Sequence, residues 1–166
     1  MRSGQFNGKH IHKVDGKGRM SIASEFREKL KEREKLFSSE SASSQDPDST
    51  MTLILTQGMG TRHIWCFPVD VWDRKVEQIN KLPNTEKVKE IRRHLIGGAQ
   101  ECEIDRLGRI LISPSLREYA GIAAGDVVVT GMGETFELWS KESYDRIVGK
   151  ADQEKSVQEY AEELGI

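Results

Sequence analysis

Two residue types at one fixed spacing could carry chemistry in this chain. In HKVDGKGRMSI (His12–Ile22) Asp15 is followed four residues later by Arg19, and in EIDRLGRILI (Glu103–Ile112) Asp105 is followed at the same distance by Arg109, 90 residues after the first copy. A glycine, Gly18 or Gly108, precedes each arginine, and an apolar alternation follows it. A carboxylate at that distance can hold a guanidinium in one orientation, and an oriented guanidinium forks onto phosphate oxygens or the edge of a guanine. The plain alternative is an ion pair across a surface turn, which contributes only about 0 to 1 kcal/mol. So weak a pair is a poor reason for both halves to share the arrangement, whereas a displayed recognition residue has a use for it.

Further cations stand nearby. Lys9, Lys13 and Lys17 surround the first turn, and Arg106 lies in the second. They suit phosphate contacts, which position a protein on nucleic acid without reading sequence. The candidate binding set is therefore Arg19, Arg109, Asp15, Asp105, Lys17, Lys13, Lys9 and Arg106, with the first half expected to dominate affinity.

The elements that must position this set follow from pattern. Ile11–Val14 and Arg19–Ile22 flank DGKG, a tight-turn sequence, and predict a β-hairpin; residues 99–112 predict a second around DRLG. On each return strand the arginine shares one face with Ser21 or Leu111, and Met20 and Ile22, or Ile110 and Ile112, point to the other. Ser24 is expected to cap a helix using Phe26 and Leu30, whose run REKLKEREK forms a solvated face. The Ser-rich stretch 38–50 reads as a flexible loop. TLILT and HIWCF are strands, Pro68 opens a helix with Val69, Trp72, Val76 and Ile79, and Asn84 caps another with Val88, Ile91 and Leu95 that Gly97 and Gly98 stop. After the second hairpin come a short helix capped by Ser113 with Pro114 at its start, strands in DVVVT and ETFELW, a helix capped by Ser140, and a helical tail bearing Val157, Ala161 and Leu164.

The repetition extends beyond the turns. Arg27 falls opposite Arg117 at the same offset of 90 residues, Leu53–Thr56 matches Val127–Thr130 at 74, and Ile64–Phe67 matches Phe136–Trp139 at 72. Each half then reads strand, turn, strand, helix, strand, strand, helix, with an insertion in the first. Units this small have little core alone, so the halves are expected to close on each other with interleaved strands.

The fold class expected is α+β: two tandem repeats forming an intramolecular pseudo-dimer, with connecting and C-terminal helices. The boundaries are 8–70 for the first repeat (insertion 38–50), 71–98 for connecting helices, 99–142 for the second repeat and 143–166 for the C-terminal helical segment.

The chain of 166 residues has net charge −2, unevenly placed: residues 1–35 carry ten Lys or Arg against five acids, and residues 134–166 carry four against nine. One surface can thus attract an anion while another faces away. Cys66 and Cys102 are not spaced as CxxC, the four histidines form no HExxH, and there is no nucleophile elbow, so no metal, no cofactor and no enzymatic activity are expected. No run of 18 apolar residues and no secretory h-region is present, which leads to an expectation of a cytoplasmic protein with neither membrane nor small-molecule partner. Trp65, Trp72 and Trp139 sit in apolar periodic segments and are expected in a core or interface.

GQFNGKHIHKVDGKGRMSIASEFR (Gly4–Arg27) and CEIDRLGRILISPSLREYAGI (Cys102–Ile122) resemble the MraZ family of bacterial transcription regulators, whose halves are each related to the AbrB-type swapped-hairpin domain. The resemblance covers nearly the whole chain apart from the insertion and the tail. It implies sequence-specific binding of double-stranded DNA through Arg19 and Arg109, a ring-shaped homo-oligomer, short direct repeats as target in the promoter of the chain's own division and cell-wall gene cluster, and a nucleoid-associated location. Ala23 and Ser113 stand where the family usually has Pro. The competing expectation is a homo-oligomeric scaffold whose arginines make subunit contacts, with the acidic C-terminal half as their partner.

Overall fold

The computed structural model describes residues 4–37, 51–151 and 155–166; the Ser-rich stretch 38–50 lies outside the described residues. The strands are β1 (Lys9–Val14), β2 (Arg19–Ser21), β3 (Met51–Gln57), β4 (Ile64–Pro68), β5 (Gln100–Ile104), β6 (Arg109–Leu111), β7 (Gly125–Gly131) and β8 (Phe136–Ser140). The helices are α1 (Ser24–Phe37), α2 (Val69–Asn80), α3 (Glu86–Ile91, running on into a π-helical turn, Arg92–Ile96), α4 (Pro114–Ala120), α5 (Lys141–Ala151) and α6 (Lys155–Glu163). This is the α+β arrangement in two repeats that the sequence implied.

Among the described residues, one six-stranded antiparallel sheet runs in the order β1-β7-β8-β4-β3-β5, and β2 and β6 form a separate two-stranded ribbon. Exchanging each strand for its counterpart in the other repeat leaves the sheet order unchanged. A pseudo-twofold axis therefore passes between β8 and β4, where Trp65 is opposite Glu137, and through the ribbon, where Met20 is opposite Ile110.

The two arms of each expected hairpin are joined by their turn, but neither arm pairs along its length with the other. Asp15 N–H donates to Arg19 O (3.0 Å) and Asp105 N–H to Arg109 O (2.9 Å), closing the turns. Beyond them, β1 pairs with β7 and β2 with β6, both from the other repeat. Burial explains the exchange. The inward residues Val14, Met20, Ile22, Ile104, Ile110 and Ile112 join one apolar cluster with Phe6, Phe26, Leu53, Leu55, Leu116, Val127, Phe136 and Leu138 from both repeats. Each such side chain stabilises by about 1.5 to 3 kcal/mol when fully buried, and no half contains enough of them to do so alone. On the sheet's other face Ile54, Phe67 and Val71 pack with Trp65, Trp72 and Ala99, while Trp139 is almost fully buried.

Three local expectations shift. Ser24 lies inside α1 rather than capping it, and the Ala23 carbonyl receives the Arg27 N–H (3.0 Å). Thr85, one residue after Asn84, caps α3 through its hydroxyl, which accepts from Val88 N–H at 3.2 Å. Ser113 and Ser140 do accept N–H bonds, from Leu116 and Ser143. The third concerns the charged run of α1, which is not solvated throughout: Arg33 is buried, forks onto Asp70 of α2 (2.6 and 3.2 Å) and donates to Gly4 O (2.8 Å). A charge at that position escapes desolvation cost because α2 and the N-terminal segment converge on it with acceptors.

The halves also lock each other's turns. Ile22 N–H donates to Gly108 O (2.8 Å) and Ile112 N–H to Gly18 O (2.9 Å). Gly18 has φ +89°, and a Cβ there would sit 2.7 Å from Ile112 O and from the Arg117 guanidinium; Gly16 has open space around it. Gly18→Ala is therefore expected to destabilise the chain by about 1 to 3 kcal/mol in urea unfolding, and Gly16→Ala to change it little.

Candidate nucleic-acid interface

Each Asp organises its turn and its arginine at once. Asp15 Oδ1 accepts the N–H groups of Lys17 (2.9 Å) and Arg19 (3.0 Å), and Oδ2 accepts Arg19 Nε–H (2.9 Å). Asp105 repeats this with Leu107 (2.9 Å), Arg109 (2.9 Å) and Arg109 Nε–H (3.1 Å). Asp opens such turns because its short carboxylate reaches the main chain two residues on, and Gly closes them at positive φ. Backbone hydrogen bonding from the arginine's own N–H is the largest cause holding each carboxyl below the usual aspartate range; slight desolvation opposes it, and the guanidinium adds to it.

The ribbon register decides what the arginines can reach. Arg19 stands opposite Leu111, and Arg109 opposite Ser21, with the buried Met20–Ile110 pair between. All four outer residues share one face, and the two arginines are diagonal neighbours, about 7 to 8 Å apart at Cα. Their side chains are 44% and 39% exposed. Asp takes the Nε side of each guanidinium, and the outer nitrogens have no further hydrogen-bond partner among the described residues. The face thus offers two pre-oriented forks of N–H donors. An ion pair this exposed adds little to stability, so its main consequence is orientation.

The remaining cations divide. Lys17 is exposed within the first turn, and Arg106 within the second. Lys13, the last residue but one of β1, is opposite Asp126 of β7. Lys9 is at the far end of β1, five residues or about 16 Å of strand from Val14, with its ammonium 5.1 Å over the Tyr144 ring. The structure gathers Lys17 and Arg106 with the two arginines and leaves Lys9 apart. Counterparts on β5 of Ile11 and Lys13 are Glu101 and Glu103, so one edge of the sheet is basic and the other acidic.

Arg27 and Arg117 support the turns in a way that the turn motif alone did not reveal. Arg117 packs on Gly18 and donates Nε–H to Ile112 O (3.1 Å); Arg27 packs on Gly108 and donates to Ile22 O (3.2 Å). Each braces the turn of the opposite repeat. Their offset of 90 residues was the available signal. His10 and His12 lie on one side of β1 with rings 6.4 Å apart, and among the described residues no three His, Cys, Asp or Glu side chains gather as a metal site.

A family model described as "MraZ protein, putative antitoxin-like" matches residues 5–93 and 95–165, one Asp-to-Arg turn in each segment. The chain belongs to the MraZ family. A relative from Caldicellulosiruptor saccharolyticus is 36% identical over 163 residues, covering 96% of this chain and 98% of its own. Relatives from Leuconostoc citreum (35% over 140 residues, 84% and 83%) and Herpetosiphon aurantiacus (32% over 163 residues, 97% and 99%) are similar in extent. All three carry the name Transcriptional regulator MraZ. Family membership and the two-repeat architecture therefore agree with the resemblance read from the sequence.

Because the carboxyls of Asp15 and Asp105 are depressed, their contribution is fully present above the ordinary aspartate value and is lost as pH falls through the lower folded value, below about 4. A side-chain carboxyl NMR titration should place both below unfolded aspartate. Arg19→Ala should leave much of the Asp15 depression in place, since the backbone N–H is its largest cause. An ordinary Asp15 titration in the wild-type chain would contradict the turn geometry.

Proposed function

We propose that this chain is a DNA-binding transcriptional regulator that lays the outer face of its β2–β6 ribbon in the major groove. Arg19 and Arg109, aimed by Asp15 and Asp105, read guanine edges; Lys17, Arg106 and Lys13 meet phosphates, and Lys9 supports them from farther along the edge strand. The observation that carries this reading is the pair of carboxylate-held guanidiniums on one face of a two-stranded ribbon, an element that fits the major groove. The name shared by the relatives, Transcriptional regulator MraZ, supports the same class of function.

Copies assemble into a ring that presents successive ribbons to short direct repeats in the promoter of the chain's own division and cell-wall genes. Several weak contacts linked in this way bind far more tightly than one. The setting is cytoplasmic and nucleoid-associated; no helix among the described residues is long and apolar enough to cross a membrane.

Fluorescence anisotropy with a duplex from upstream of the chain's own gene tests this. A bidentate arginine contact discriminates by about 1 to 3 kcal/mol, so Arg19→Ala/Arg109→Ala should weaken specific binding at least about tenfold while eluting at the wild-type size. Equal binding, or collapse to monomers, transfers the arginines to a scaffold role in subunit contacts.

A further inference from the structure

The pseudo-twofold ribbon has unlike ends. Under the 90-residue repeat, Arg19 corresponds to Arg109, but Lys17 corresponds to Leu107 and Ser21 to Leu111. Leu111 is 54% exposed and Leu107 is 69% exposed. Leu111 is not loosely placed: its carbonyl accepts from Cys102 Sγ (3.4 Å) and Gln100 Nε2 (3.5 Å) of β5, its backbone pairs with Arg19, and its side chain shares the arginines' outer face. Single exposed leucines are ordinary on protein surfaces. Leu111 stands directly opposite Arg19, at the end of the ribbon that the Lys17 turn closes, whereas the corresponding place opposite Arg109 holds Ser21, so the two arginines have unlike neighbours on one face.

We infer that Leu111 packs against a thymine C5-methyl group beside the base that Arg19 contacts, so that the ribbon reads DNA in one direction. This rests on the DNA-reading function proposed above and names a specificity residue within it. Directly opposite residues of a ribbon have Cβ atoms about 4.5 to 5.5 Å apart, and successive bases of a strand are 3.4 Å apart along the helix. A guanidinium of Arg19 on one base edge therefore sets Leu111 over an adjoining base pair. The methyl of thymine is the apolar group that the major groove offers there. The other end, where Ser21 stands opposite Arg109, meets polar base edges. A strictly twofold reader would suit an inverted repeat; unlike ends favour copies that follow one another head to tail along direct repeats.

The test begins with a duplex selected by the wild-type chain from a randomised pool. Each thymine of that duplex is then replaced in turn by deoxyuridine, which removes the methyl and keeps the O4 acceptor. Wild type should lose about fourfold in affinity per contacted methyl, at one or two positions. Leu111→Ser, which installs the first repeat's residue, should lose a similar factor on the thymine duplex and nothing more when those same positions carry deoxyuridine. The inference is overturned by a selected sequence without thymine, by indifference of wild type to every replacement, or by additive losses in Leu111→Ser. A changed elution volume of that variant also overturns it, because Leu111 would then be a subunit contact. If Arg19→Ala/Arg109→Ala abolishes binding to the selected duplex while the methyl replacements have no effect, the DNA-reading function stands and this inference falls; a pool that yields no preferred duplex removes both.

Discussion

Two backbone hydrogen bonds tie each turn to the other repeat: Ile22 N–H to Gly108 O, and Ile112 N–H to Gly18 O. Around them Arg27 and Arg117 lie against the opposite glycine, leaving no room for a side chain. Neither repeat can therefore complete its own reader. The ribbon exists only when β1 has paired with β7 and β5 with β3, and those pairings bury the common core. The consequence is that the spacing between Arg19 and Arg109 is fixed by the whole fold rather than by either loop. Such long-range pairing must close large loops before contacts reward it, which slows folding, but a site built on paired strands holds its geometry better than one on a free loop.

Electrostatics acts on that frame mostly by aiming. The Asp–Arg pairs are too exposed to contribute much stability, yet each carboxylate satisfies two main-chain N–H groups and one guanidinium edge. The chain as a whole is slightly acidic. It nonetheless offers an anion a cationic face, because Lys9 and Lys13 stand on one sheet edge with Lys17 in the turn beyond, while Glu101 and Glu103 occupy the opposite edge. A polyanion is drawn to one side and repelled from the other.

The repeat, the turns and the apolar face of each return strand were legible because they are written locally: Asp, Gly and Arg at fixed offsets, then a period of two. The exchange of partners was not. Ile11–Val14 has the same composition whether it pairs with Arg19–Ile22 or with Gly125–Val128, and only the shortage of core in each half hinted at interleaving. Arg33 was hidden in a run of charges because its partner Asp70 lies 37 residues away. The buried His63 likewise meets the half-buried Glu137 at 3.0 Å and stacks on Trp139, a contact across the repeats with no local signature. Lys9 clustered with the arginine in sequence but not in space, since an extended strand carries it away. Arg27 and Arg117 were visible as a repeated pair; their use required the backbone of the other half.

The central claim is that orientation of the arginines, rather than their charge, confers DNA recognition. Arg19→Lys/Arg109→Lys tests it most directly, since lysine keeps the positive charge but has neither the fork nor the Nε–H that Asp holds. The quantity to measure is the ratio of affinities for a selected duplex and a scrambled one, with its dependence on salt. The account predicts that the ratio falls toward one while affinity for the scrambled duplex and its salt slope remain near wild type. A double lysine variant that kept the wild-type ratio would contradict it.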